Sequence, residues 1–276
     1  MSARNGRINL LRYPVVILIA LLSFIPFYTL ITVGLGKPGA GFAGGSILIP
    51  SVHVENYLHA WQSSSLGLAI VNSSIITVGA VLLVVLFASA AGFSISRFPS
   101  FFNRATFSIF LSAMMIPGII NTVALYTVMI RIHGINTHWA MILVLATNAM
   151  PFSVFLYTGF VRTMPREIEE SAIIDGCSWI GAFARVTFHF LKPVTASVII
   201  LQGLGIWNNY AQAVFFLQNQ RMRTVPLAVS LFFQQYGANW NLMAAAAAIG
   251  VTPAVLMFIV FQRYFIKGIT TGALKG

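Results

Sequence analysis

Acidic residues are what this 276-residue chain has least of, with five Asp and Glu against sixteen Lys and Arg. Charged residues of all kinds make up 8% of it, where a soluble domain carries about 25%. So little charge cannot keep a globule in water, and 58% hydrophobic residues with a mean hydropathy of +0.87 indicate a polytopic membrane protein. The single cysteine, Cys177, excludes an internal disulfide and a thiol metal cluster. The sixteen cations lie scattered between apolar runs, without a basic stripe or stacking aromatics, which argues against a nucleic-acid surface. No GxxxxGK[ST] loop occurs, so any nucleotide the protein uses is held by another subunit. His53, His59, His133, His138 and His189 have no ligand spacing and read as solvated or interfacial residues. With no paired carboxylates outside one polar stretch, enzyme chemistry finds no support.

What the chain does have is long apolar runs. A leader at 1–12 carries Arg4, Arg7 and Arg12, and the run at 13–35 follows. That run exceeds the roughly 7–15 residues of a signal-peptide core and reaches the roughly 20 needed to span, so it reads as an uncleaved first helix. An external segment, Gly-rich at its start, occupies 36–65. Further runs at 66–96, 105–130, 139–161, 194–217 and 242–261 predict six transmembrane helices in an all-α fold, with Pro117, Gly118 and Pro151 inside them. The membrane-spanning body then covers 13–266 and a cytoplasmic tail covers 267–276.

Orientation follows from the positive charges. With the N-terminus inside, Arg4, Arg7, Arg12, Arg97, Arg104, Arg162, Arg166, Arg185, Lys192, Arg263, Lys267 and Lys275 are cytoplasmic, and only Lys37, Arg131, Arg221 and Arg223 are external. Twelve against four places both termini and the polar stretch at 162–193 on the cytoplasmic side. No ionisable side chain falls within a run, which argues against a proton-coupled or sodium-coupled carrier.

The polar stretch holds Glu167, Glu169, Glu170 and Asp175, four of the five acids. Pro165 suits a first helical position, the acids favour the positive end of that helix, and Gly176 is a natural left-handed stop. Ser178 can cap a second helix that Pro193 ends. In that helix Trp179, Phe183, Val186 and Phe190 recur at spacings of four, three and four, with Ser178, Arg185, His189 and Lys192 opposite. The spacing predicts an amphipathic helix along the membrane surface. A solvated loop with an incidental charge run is the plainer alternative.

GluSerAlaIleIleAspGlyCys at 170–177, followed by Phe183, Val186 and Lys192-Pro193, resembles the EAA loop of permease subunits of ATP-binding-cassette importers. That pattern reads Glu-Ala-Ala, two residues, Asp-Gly-Ala, then a Phe, an Ile and a Leu-Pro. ValGluAsnTyrLeu at 54–58, IleTrpAsnAsn at 206–209 and the tail at 267–276 are similar to the carbohydrate-type, maltose-permease-like branch. The chain departs at Ser171, which replaces the first alanine, at His189, where proline is usual, and at Asn209, where an acid is common. The resemblance implies a non-catalytic subunit of a bacterial or archaeal cytoplasmic membrane. It implies four kinds of partner in the bilayer and beyond: a homologous permease, two copies of a cytoplasmic ATPase, an extracytoplasmic solute-binding protein, and lipid. ATP and Mg would sit on the ATPase, with no cofactor on this chain. Coupling to that ATPase would fall on Glu170, Ser171, Ala172, Asp175 and Gly176, although glycine ends many helices that couple nothing. The tail would reach toward the ATPase or lie loose.

A solute path must be built from polar residues within the runs, because amides facing lipid are costly. Asn72, Ser73, Ser74, Asn121, Thr122 and Asn148 are candidates, and Gln202, Trp207, Asn208, Asn209 and Gln212 form the densest group. Amides beside an aromatic plane suit a neutral, hydroxyl-rich ligand such as a sugar or oligosaccharide. Interhelical packing uses the same amides. Permeases of the same superfamily for polyamines, amino acids or phosphate esters share the EAA loop. A stand-alone secondary transporter would need intramembrane charges or internal repeats, and neither is found.

Overall fold

The first apolar run becomes a helix that starts at Ser2, so the basic leader and the run are one element, α1 (Ser2–Gly34). In this computed structural model the described residues are 2–38, 52–63, 65–236 and 239–273, with side chains described for 13–38, 52–63, 65–235 and 239–262. The glycine-rich part of the external segment, the leader's arginine side chains and the last three residues of the tail lie outside them. Every regular element among the described residues is helical. After α1 come α2 (Glu55–Ser63), α3 (Leu66–Arg97), α4 (Phe101–Ala113), α5 (Thr122–Arg131), α6 (His138–Thr163) and α7 (Glu167–Ile174). Then follow α8 (Trp179–Phe190), α9 (Lys192–Trp207), α10 (Ala213–Phe216), α11 (Val225–Tyr236) and α12 (Trp240–Ala273). Four helices, α1, α3, α6 and α12, have the length and apolarity to cross a membrane, and α8 with α9, bent by 74°, adds a fifth if counted as one span.

Two expected spans are broken. The run at 105–130 is α4 and α5 separated by turns at 114–121, because Pro117 offers no amide and biases Ile116 away from the helical region. The run at 194–217 stops being helical at Trp207, and the chain turns at 208–212 before the short α10.

The chain divides into two compact units. One contains 1–66 and 229–251, hence α1, α2 and parts of α11 and α12. In it the Asn56 amide donates to the Gly34 and Gly36 carbonyls, each at 2.9 Å, and Asn241 donates to the Val33 carbonyl at 2.8 Å. Two amides thus satisfy the orphan carbonyls at the end of α1. Side chains along most of α1 are exposed although the helix is apolar on all sides. Such a helix is at rest only in lipid or against another chain.

The other unit contains 67–228 and 252–276. The buried residues of α6, among them Met141, Val144, Leu145, Ala149, Val154, Tyr157 and Val161, recur with helical period and form its core stripe. Tyr157 is fully buried and donates to the Thr195 hydroxyl on α9 at 2.9 Å. Gly92 lets α3 approach α6: a Cβ there would stand 2.6 Å from the Tyr157 Cβ and 2.9 Å from the Thr158 nitrogen. Only glycine fits that crossing.

Candidate functional site

The charged stretch folds as α7, a glycine turn, and α8. Gly176 has φ +86°, the left-handed stop expected of it. Cys177 N–H donates to the Ala172 carbonyl and Gly176 N–H to the Ile173 carbonyl, both at 3.0 Å, which closes the helix end. Among the described residues nothing lies within 4 Å of where a Cβ would stand, so backbone conformation rather than crowding calls for glycine. Ser178 opens α8, its hydroxyl accepting from the Gly181 N–H at 3.2 Å.

Four of the five expected coupling residues, Glu170, Ser171, Asp175 and Gly176, lie exposed on this edge, and Ala172 is buried beneath it. The Ser171 hydroxyl is engaged in its own helix, donating to the Glu167 carbonyl at 2.7 Å. Beside them Ile174 is 85% exposed and Ile180 81% exposed. The edge therefore presents two bare isoleucines around acceptor carboxylates.

Glu169 faces the other way. Its carboxylate is 1% exposed and its Oε1 accepts from Arg97 Nε at 3.1 Å and Nη2 at 2.9 Å. Thr187, also buried, approaches the same oxygen at 3.3 Å. The remaining oxygen, Oε2, is buried without a donor among the described residues. Nearby, Phe98 packs edge-on against Trp179, and Phe93 packs at a 40° tilt against Phe183, each with ring centroids 5.0 Å apart.

Toward the rest of the chain α8 packs through other residues than the apolar spacing picks out. Ala182 and Thr187 are its buried positions, with Leu191 buried just past its end, while Phe190 is 48% exposed. A π-helical turn at Phe183–Thr187, closed by Phe188 N–H on the Phe183 carbonyl, shifts the register after Phe183. The polar side is exposed as expected at Ser178, Arg185, His189 and Lys192.

The other polar group lies along α9. An open cavity of about 280 Å³ is lined by Asn148, Gln202, Asn209 and Gln212 together with Gly118, Ile119, Leu145, Ala149, Gly205, Ile206 and Ala211. Asn209 Oδ1 accepts from the Gln212 N–H at 3.1 Å, which sets the turn after α9. Trp207 is buried and Asn208 exposed, and neither lines the cavity. Among the described residues the lining holds donors and acceptors but no ionisable group.

Asn72 and Ser73 hold the backbone at 221–225 and do not line this cavity. The Asn72 amide donates to the Arg221 and Arg223 carbonyls at 2.9 and 3.0 Å, and Ser73 Oγ accepts from the Val225 N–H at 2.9 Å. Because both amide hydrogens of Asn72 are used, its Oδ1 accepts from His138 Nε2 at 2.9 Å. His138 is thus a half-buried bonded residue rather than a solvated one. Asn72→Ala leaves two loop carbonyls short of a donor, a loss of about 1–3 kcal/mol. Tryptic cleavage after Arg221 and Arg223 in the purified protein is expected to speed up accordingly. Among the described residues no group of three His, Cys, Asp or Glu side chains could hold a metal ion.

Residues 84–271 match the family described as binding-protein-dependent transport system inner membrane component. The chain is 38% identical over 260 residues to the melibiose/raffinose/stachyose import permease protein MelC of Bacillus subtilis (strain 168), covering 94% of each. It is 30% identical over 262 residues to the arabinooligosaccharides transport system permease protein AraQ of Halalkalibacterium halodurans, covering 94% of this chain and 93% of that one. Among solved structures it is similar, with a TM-score of 0.80 and 18% identity, to a chain of a bacterial ABC transporter involved in the import of the acidic polysaccharide alginate, covering 96% and 99%. That likeness speaks for the fold, and the family match spans about two thirds of the chain; the protein belongs to the binding-protein-dependent transport system inner membrane component family.

Proposed function

We propose that this chain is one of two homologous transmembrane subunits that form the path of an ABC importer for a neutral sugar or oligosaccharide. The solute is handed over by an extracytoplasmic binding protein, and the work is done by two copies of a cytoplasmic ATPase that carries the ATP and Mg. This chain contributes no cofactor and no catalytic group. It crosses the cytoplasmic membrane six times, with α4 and α5 as a broken third span and α9 as the fifth, and with both termini inside.

The observation that carries this reading is the edge of α7. Glu170, Ser171, Asp175 and Gly176 lie bare beside Ile174 and Ile180, at the end of a helix whose other face is locked inward. Exposed isoleucines outside the spans need a cover, and a cleft on the ATPase offers apolar walls with donors for the carboxylates. The amide-lined cavity supports a neutral solute, since a charged one would be buried there without a counter-charge. The relatives named above for oligosaccharides support the same class.

Uptake of labelled raffinose and labelled arabino-oligosaccharide in cells lacking the gene tests the substrate class, with spermidine and amino acids as the charged comparison. Loss of oligosaccharide uptake, restored by the gene, is expected; loss confined to a charged solute would refute the sugar assignment. Restoration with Asn209→Leu is expected to leave uptake at limiting solute down by about tenfold, the effect of one lost hydrogen bond of about 1.5 kcal/mol.

A further inference from the structure

Four elements meet at one ion pair. Arg97 ends α3, and besides holding Glu169 on α7 it donates through Nη2 to the Met164 carbonyl just past α6, at 3.1 Å. Glu169 in turn accepts the hydroxyl of Thr187, which lies in the π-helical turn of α8. The covalent links are slight by comparison: 164–166 joins α6 to α7, and a turn at 175–178 joins α7 to α8. Those links alone would let α7 pivot at Pro165 and Gly176.

We infer that Arg97 and Glu169 are positioning residues that fasten the α7–α8 segment to the end of α3, so that a push on the bare edge of α7 moves α3 with it. The π-helical turn argues for this over incidental pairing. In a regular helix Ala182 and Thr187, five apart, would point about 140° from one another. Here both are fully buried, and the wider turn is what brings the Thr187 hydroxyl to the carboxylate. The ring pairs Phe98–Trp179 and Phe93–Phe183 close the same joint from its flank.

The inference rests on the importer reading, because the push comes from the ATPase. The complex, reconstituted in proteoliposomes, is compared as wild type and as Arg97→Met/Glu169→Met, which removes both charges and keeps the packing volume. The double variant is expected to assemble and hydrolyse ATP while solute uptake per ATP falls roughly tenfold, within the range usual for coupling between sites. Wild-type uptake per ATP in the double variant would overturn the inference, because a merely structural pair would move yield and not this ratio. Spin labels at Phe101→Cys and Glu167→Cys in a Cys177→Ser background give a second reading that needs no assembled double variant. An unchanged distance with and without ATP supports the joint, and a distance that shifts between the two states overturns it. If the wild-type chain recruits no ATPase at all, the importer reading fails, a result distinct from either.

Discussion

Glu169→Ala is expected to lower the stability of the solubilised protein by about 3–5 kcal/mol, the usual penalty for stranding one partner of a buried ion pair. The Arg97 side chain is 5% exposed, and without the carboxylate the bond left to it among the described residues is the one to the Met164 carbonyl. Thr187, fully buried, loses its acceptor as well. Arg97→Met/Glu169→Met should cost much less, because deleting both charges also removes the burden of keeping them from water. Thermal unfolding followed by size-exclusion fluorescence measures both, and a single variant as stable as wild type would mean the pair is not buried in the membrane-bound protein.

Gly176→Leu is expected to reduce uptake to background while the amount of protein in the membrane stays near wild type. The two effects separate because their causes differ. A side chain at φ +86° strains the backbone by about 1–2 kcal/mol, which a multi-helix protein tolerates, and among the described residues no neighbouring atom lies within 4 Å of its Cβ. The same open space is where the ATPase is proposed to dock, so bulk is felt only in the complex. Gly176→Ala carries the strain with little bulk and should retain part of the uptake. Equal loss in Ala and Leu variants would assign the defect to backbone strain instead.

The local grammar of the chain was legible from its residues. The helix stop at Gly176, the cap at Ser178 and the polar side of α8 all follow from nearest neighbours, and all are found. What escaped depends on distance along the chain or on a change of helical register. Arg97 closes an apolar run and reads as a connector charge, while its partner lies 72 residues on. Helical spacing held part of the answer: Glu169 is three residues from Ala172, so the two share a helix face, and that face is the buried one. The π-helical turn left no mark in the residue spacing, and it brings Thr187 inward. Asn72 reads as a path residue until its bonds to carbonyls about 150 positions away are seen. On α9, Gln202, Asn209 and Gln212 share the cavity, but treating 194–217 as one helix put Trp207 beside it, whereas α9 ends at Trp207 with that ring packed inside.

Co-purification shows whether this chain docks an ATPase through the edge of α7. Tagged wild type and Gly176→Leu are extracted from native membranes in mild detergent, and what accompanies each is identified by mass spectrometry. A P-loop ATPase and a second, homologous permease are expected with the wild type, with the ATPase lost from the variant. A wild-type monomer or homodimer bringing no ATPase would contradict the account.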